Sequence, residues 1–331
     1  MKFKEAVTYD DMLLVPQYSD ITSRSEVDIT SCLGHRDFSL PIIASPMDTV
    51  SGAGMATAMS EAGGLAVLHR YNSITEQQKM AQEVINSTNR SGQLAAAIGV
   101  TGDYLERAEA LIAAGVDILC IDVAHGHHSL VKKALKELRN EYDNHIYIVA
   151  GNVCTLEGIN DVADWGANAV RCNIGGGSIC STRLVSGHGL PGLQTIFDCA
   201  RTDRDVKIIA AGADFVMCGS LLAGTTESPG KVISLPNNVR VKEYRGMASK
   251  DAQLNWRKKS STPEGVASYI PYKGSVVDIL QDLEGGIRSG LSYSGARNIS
   301  ELQHHAEWAR QTSAGTQESG THIFSQNGKQ K

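Results

Sequence analysis

Six times between residues 40 and 174 the chain repeats one unit, a short continuous apolar run followed by an amphipathic stretch. LPIIASP (40–46) leads into GAGMATAMSEAG, GLAVLHR (64–70) into TEQQKMAQEVIN, LAAAIGV (94–100) into DYLERAEALIAAG and VDILCIDVA (116–124) into SLVKKALKELRNEY. IYIVAGNV (146–153) and ANAVRCNI (167–174) continue the series with TLEGINDVADWG and LPGLQTIFDCAR. Strands apolar throughout are buried on both faces, so this rhythm predicts a parallel sheet covered by helices. With VKIIA (206–210) and FVMCG (215–219) there are eight strands in about 180 residues, the number of a (β/α)8 TIM barrel. An open doubly wound sheet is the alternative. Against it, no GxGxxG loop opens the first helix, and glycines and polar residues gather after many strands rather than at one switch point.

The last two strands break the rhythm, because only residues 210–214 (AAGAD) separate them. Parallel neighbours need a crossover of about a dozen residues or more, and five residues span at most roughly 17 Å. The barrel is therefore expected to lack the loop and helix between its seventh and eighth strands.

Composition narrows the partner. A net charge of −5 on 331 residues, with 20% charged, gives no electrostatic reason to expect nucleic acid or an acidic membrane surface. A small polar metabolite fits better. The N-terminus has no signal-peptide core and no apolar run approaches the roughly 18 residues of a membrane span, so a cytoplasmic location is expected. Seven cysteines without a CxxC pair read as reduced thiols.

Chemistry is sought after the strands, where barrel loops converge on one mouth. In NIGGGSICSTR (173–183) three glycines free the backbone for close approach, and Cys180 follows among the hydroxyls of Ser178, Ser181 and Thr182. Such a loop can present a thiolate to an electrophilic carbon; taken alone, a flexible turn with an incidental cysteine explains it equally.

NIGGGSICSTR closely resembles the active-site loop of the IMP dehydrogenase/GMP reductase family. The resemblance extends over nearly the whole chain through VTYDDMLLVPQYSDITSRSEVD, ASPMDTV, IDVAHGH, AGNV, GSLLAGTTESPG, YRGMAS, PEG, YKGSV and GGIRS, all in the family's order. It implies one catalytic barrel over 1–331 with an active-site flap at about 244–265, a polar tail at about 311–331 and no CBS regulatory domain, since residues 64–100 run straight from the second strand to the third. It further implies a purine mononucleotide, GMP or IMP, and a nicotinamide cofactor, NADPH or NAD, across the barrel mouth. Cys180 would attack C2 of the purine to form a thioimidate while hydride moves between C2 and the nicotinamide. Ser45 and Met47 would line the nucleoside, Met247 and the backbone of Gly246 would read the base, and Ser178, Gly219, Ser220 and Tyr244 would hold the phosphate. Asp122 would orient the nicotinamide riboside. Family members assemble as homotetramers.

The family's two activities differ in the fate of the thioimidate. Dehydrogenases hydrolyse it with a water activated by an Arg-Tyr pair on a long flap; reductases form it by expelling ammonia, aided by a threonine beside the cysteine and a glutamate. Thr182 and Glu264 hold those two positions, and the flap between YRGMAS and PEG is only KDAQLNWRKKSST, without an Arg-Tyr pair. NADPH-dependent reductive deamination of GMP to IMP is thus the first expectation. ASPMDTV, YRGMAS and the tail SAGTQESGTHI lean instead toward dehydrogenases, in which K+ would be held by the carbonyls of Gly175, Gly177 and Cys180 and by Glu318, Ser319 and Gly320 of a neighbouring subunit. For that tail, simple disorder is the equal alternative. A third expectation is a catalytically inactive member, because KIIA is normally followed by Asp-Gly-Gly, whose carboxylate and amides bind ribose and phosphate; Asp214 is a possible substitute.

Other features have plainer readings. His125, His127 and His128 lack a matching carboxylate or cysteine spacing for a metal. Cys154, Cys172 and Cys199 read as small buried hydrophobes. The basic residues of SLVKKALKELRNEY read as a solvated helix face, and WRKKSS as a flap cluster facing cofactor phosphate or water. Asn173 stands where the family has glycine, which predicts a different backbone there.

Overall fold

The computed structural model describes residues 5–88, 93–210 and 213–320. Its centre is a sheet of eight parallel strands: β1 (Ile42–Ala44), β2 (Leu65–Leu68), β3 (Ala95–Ile98), β4 (Ile118–Asp122), β5 (Tyr147–Val153), β6 (Ala169–Cys172), β7 (Lys207–Ile209) and β8 (Val216–Cys218). Hydrogen-bonded neighbours run β7-β6-β5-β4-β3-β2-β1-β8. This is the expected barrel, nearly closed on itself.

Each strand sends alternate residues to opposite sides, as a period of two requires. Ile43, Leu65, Val67, Ala95, Ala97, Ile118, Cys120, Val149, Ala169 and Ile209 form one buried cluster inside the barrel. Their neighbours, among them Ile42, Ala66, Ala96, Leu119, Ile148 and Val170, join a second cluster with the helices. Helices α1 (Ala53–Glu61), α2 (Ile74–Thr88), α3 (Tyr104–Ala113), α4 (Ser129–Tyr142) and α5 (Leu156–Asp164) follow the first five strands. On α4, Lys132, Lys133 and Lys136 are exposed as expected. Arg139 departs from that reading: it is half-buried and donates to the carbonyls of Gly166 (2.7 Å) and Ile146 (2.9 Å), tying α4 to the start of the next strands.

The seam between β7 and β8 is solved by stagger. Among the described residues no helix lies between them, and they meet at one parallel bridge, Ile209 to Phe215. The Ala210 N–H donates to Phe215 O at 2.8 Å. Because only the end of β7 lies beside the start of β8, the chain need not retrace a strand. The Asp214 carboxylate accepts the Ile208 N–H (2.9 Å) and pairs with Lys207 Nζ (3.1 Å). Phe215 turns into the barrel and meets Phe38 edge-on, with centroids 5.6 Å apart. Phe38 belongs to a hairpin, Ser31–Leu33 with Arg36–Phe38, that plugs this end and is fixed by an Arg36–Asp117 ion pair at 3.2 Å. Asp214 is consumed by the seam, so it is not a spare carboxylate for the barrel mouth. Ala211 and Gly212 lie outside the described residues.

After β8 the chain builds a small antiparallel sheet, β9 (Ile233–Ser234), β10 (Arg240–Arg245) and β11 (Ala267–Pro271). The expected flap lies between β10 and β11 and carries a helix of its own, α6 (Lys250–Arg257). The long helix α7 (Val276–Tyr293) then returns to the barrel wall, started by Ser275 Oγ and by the Glu227 carboxylate on the Val276 N–H (2.8 Å). In the tail, Ser313–Glu318 is helical, capped by Thr312, and its Thr316 hydroxyl donates to Asp10 O at 3.2 Å. The described part of the tail is therefore ordered against the N-terminal segment, contrary to the reading as disorder; the expected tail beyond residue 320 lies outside the described residues.

Candidate active site

A cleft of about 830 Å³ opens at the C-terminal ends of the strands, within the range of small-molecule sites. Its walls bring together Ser45, Met47, Asp122, Gly175, Gly177, Ser178, Cys180, Thr182, Gly219, Ser220, Tyr244, Gly246, Met247 and Glu264, residues spread over some 220 positions of sequence. A second hollow of about 660 Å³ on the barrel's outside holds Glu61, Glu83 and Glu227 but neither thiol nor imidazole.

The cysteine loop follows β6. Asn173 at its start has φ +117°, so the asparagine keeps the conformation that glycine ordinarily supplies, and the Asn152 amide donates to its carbonyl at 2.7 Å. Gly175 is also left-handed, at φ +77°, and a Cβ there would lie 2.5 Å from Arg183. Arg183 fills that space and donates to Ile174 O at 3.1 Å, holding the loop. Cys180 is exposed at the tip. Its thiol donates to Thr182 Oγ1 at 3.2 Å, and that hydroxyl donates to Glu264 Oε2 at 2.8 Å. The Ser181 N–H donates to Glu264 O at 3.0 Å, so the flap end and the cysteine loop are locked by backbone as well. Thiol, hydroxyl and carboxylate form a continuous path for a proton.

Opposite stands a pocket of small groups. A Cβ built on Gly219 would fall 3.1 Å from Ser45 Oγ, 3.1 Å from Tyr244 Oη and 3.2 Å from Met47 Sδ, so three predicted side chains close on one glycine. Ser178 and Ser220 stand beside the Tyr244 hydroxyl, whose pKa is raised by burial. Ser45 Oγ is buried without a protein partner. An orphaned buried hydroxyl costs about 1–3 kcal/mol, which a ligand oxygen in this cleft would relieve. Gly246 has its N–H on Val266 O (3.0 Å) and its carbonyl on the Ser249 N–H (2.9 Å), which leaves the carbonyl a second lone pair.

Several participants escaped the sequence reading. Arg171 from β6 reaches Asp122 Oδ1 at 2.5 Å; burial disfavours its charge, but Asp122 outweighs that and its pKa is raised. Arg70 Nη2 donates to the Asp122 carbonyl at 3.1 Å. A charged residue inside an otherwise apolar strand, as in NAVRCNI, was the available signal for Arg171. Two motifs that the sequence showed far apart, ASPMDTV and YRGMAS, are joined by an ion pair: Arg245 places Nη2 2.6 Å and Nε 3.0 Å from Asp48 Oδ2. Both side chains are nearly buried, at 14% and 9% exposure. Asp48 also presents its N–H to Met247 Sδ at 3.3 Å.

The flap helix is seated by Trp256, which stacks on Tyr71 with centroids 6.0 Å apart and lies under the buried Arg107 guanidinium. Trp256 thus packs on the barrel, while Lys258 and Lys259 are exposed. His127 does find a carboxylate, Asp161 at 2.8 Å, and stacks on Trp165. Among the described residues no group of three or more His, Cys, Asp or Glu could hold a metal ion. Cys172 and Cys199 are buried as expected, whereas Cys154 is only partly so. Glu318, Ser319 and Gly320 do not line the cleft; Ser319 Oγ donates to Gln311 Oε1 at 3.0 Å beside the N-terminal segment.

An eight-stranded barrel with an exposed thiol, a hydroxyl–carboxylate relay and a hydroxyl-lined pocket at its mouth has the form of a barrel enzyme acting on a small polar ligand. The family model described as IMP dehydrogenase / GMP reductase domain matches residues 6–322, and the chain belongs to this family of NAD(P)-dependent oxidoreductases. It is 31% identical to an inosine-5'-monophosphate dehydrogenase of Nitrosopumilus maritimus, covering 97% of this chain and 99% of the relative, and 30% identical to a GMP reductase of Leishmania major, covering 97% of each. The first alignment runs over 473 positions, more than this chain's length, so the relative has internal residues without counterparts here. The fold matches a crystal structure of an alanine-for-cysteine variant of GMP reductase from Trypanosoma brucei in complex with guanosine 5'-monophosphate, with a TM-score of 0.90 at 30% identity over 98% of this chain and 99% of that one. Among the described residues no helix is long and apolar enough to cross a membrane.

Proposed function

We propose that this chain is a GMP reductase, converting GMP to IMP with NADPH. The observation that carries the proposal is the path from Cys180 Sγ through Thr182 Oγ1 (3.2 Å) to Glu264 Oε2 (2.8 Å). Expelling ammonia from C2 requires a proton at the departing nitrogen, and a hydroxyl backed by a carboxylate beside the attacking sulfur can deliver one. A dehydrogenase must instead activate water, and the flap residues 250–262 hold no tyrosine for an Arg-Tyr pair.

In this reading the Cys180 thiolate adds to C2 of GMP, the C2–N bond breaks as Glu264, through Thr182, protonates the amine, and a thioimidate remains. Hydride for C2 would be supplied by a nicotinamide cofactor held beside Asp122. The C2–S bond then breaks, returning the thiolate and leaving IMP. Ser45 and Met47 line the nucleoside, Met247 and the Gly246 backbone contact the base, and the Ser178–Tyr244–Ser220 cluster with Gly219 receives the phosphate. Asp122, braced by Arg171, faces the nicotinamide riboside. A monovalent cation would take carbonyls of Gly175, Gly177 and Cys180; with Glu318–Gly320 away from the cleft, its remaining ligands would come from another copy, in keeping with a homotetramer.

The seam supports a second reading, an inactive member. Asp214 is committed to Lys207 and Ile208, so no carboxylate replaces the ribose-binding aspartate usual at this place. Purified protein decides between them. NADPH oxidation on GMP, abolished by Cys180→Ala, supports the reductase; NAD reduction on IMP would make it a dehydrogenase. Neither reaction, with no rise in melting temperature on adding either nucleotide, would make it inactive.

A further inference from the structure

Lys273 stands outside the cleft's lining and outside every motif role assigned above. Its backbone N–H anchors it to Gly224 O at 2.9 Å, at the end of β11. Its ammonium donates to Ser220 O at 2.5 Å and to Leu221 O at 3.0 Å, the turn that follows β8 and carries Gly219 and Ser220 into the cleft. Gly219 O is engaged within the same turn by the N–H groups of Leu222 (3.1 Å) and Ala223 (2.9 Å).

We infer that Lys273 is the residue that positions and electrostatically biases the Gly219–Ser220 turn for the phosphate of a purine mononucleotide. Carbonyl oxygens repel an anion. Here two of them are turned onto a cation that does not line the cleft. In a trans peptide the N–H lies opposite the C=O, so fixing the Ser220 carbonyl on Lys273 turns the Leu221 N–H to the other face of the turn, and Leu221 lines the cleft. Ser178, Tyr244 and Ser220 line the same cleft as Leu221, and their neutral hydroxyls gain as phosphate ligands from a positive charge behind the turn. The inference rests on the reading of the cleft as a mononucleotide site, and inorganic phosphate separates the two.

The experiment compares the intact protein with Lys273→Met and Lys273→Arg, titrating GMP, guanosine and inorganic phosphate by calorimetry and melting temperature. Lys273→Met is expected to weaken GMP and phosphate by about 10- to 100-fold and leave guanosine unchanged, with Lys273→Arg recovering much of the loss. Lys273-dependent binding of phosphate by a protein that ignores GMP supports the inference and removes the mononucleotide reading. Equal weakening of GMP and guanosine, or phosphate binding untouched in Lys273→Met, would overturn the inference and leave Lys273 as a staple for β11.

Discussion

Replacing Arg245 with methionine tests whether the buried pair between the flap base and the first strand's loop governs both stability and the site. Arg245 holds Asp48 through contacts of 2.6 and 3.0 Å, with both side chains nearly out of water. Burial works against the guanidinium's charge, but the hydrogen bonds and charge of Asp48 outweigh it and leave its pKa raised. Removing one partner of such a pair costs about 3–5 kcal/mol, because the carboxylate stays buried with its main counter-ion gone. For a chain of 331 residues that is roughly a 4–7 °C fall in melting temperature. The paired change Asp48→Leu/Arg245→Met should recover most of it, since two apolar side chains of similar volume replace a closed ion pair. Arg245 adjoins Tyr244 and Gly246 while Asp48 adjoins Met47, so the single variant should also loosen ligand binding. Calorimetric unfolding of the four proteins reads the coupling directly. A loss below about 1 kcal/mol, or strictly additive single changes, would mean that the pair behaves as a solvated surface contact and the reasoning fails.

Glu264→Gln keeps the shape of the Thr182 contact but removes the proton store, so kcat for GMP reduction should fall about 10²- to 10⁴-fold with little change in KM; unchanged kcat would remove Glu264 from the relay. Phe215→Ala empties the space beside Phe38 at the seam and should cost about 3–5 kcal/mol by denaturant unfolding, while a cost near zero would show that the seam does not depend on this packing. His69 is partly buried with its Nδ1 out of water and unpartnered, and burial lowers its pKa below 6.5. The unfolded chain therefore binds the proton more readily, and this contribution to stability is complete above about pH 6.5 and is lost as pH falls through the lowered value. His69→Asn should flatten that acid-side slope in melting temperature, and an unaltered slope would assign it to other groups.

The sequence by itself determined the barrel and most of its mouth. Apolar runs at strand length, separated by helical amphipathic stretches, leave a parallel sheet as the way to bury both faces, and loops after parallel strands must share one end. That is why the loop bearing Cys180 could be placed at the barrel mouth before any geometry was known, while Thr182, Ser45 and Tyr244 joined it through the resemblance of their motifs to the family. Local spacing also flagged the defect at 210–214, since chain reach is a property of residue number alone.

Tertiary structure decided what depends on pairing across distance. Asp214 was legible as a carboxylate, but only the stagger of β7 and β8 turned it onto Lys207 and the Ile208 amide and away from the cleft. ASPMDTV and YRGMAS were legible as motifs, yet nothing in either said that Asp48 and Arg245 would neutralise each other. Arg139 reads as surface in a helix whose other basic residues are solvated, and it is half-buried because neighbouring loops offer it carbonyls. Hydrophobic periodicity records which face of an element is covered; it carries no record of which charged group on another element will be waiting there.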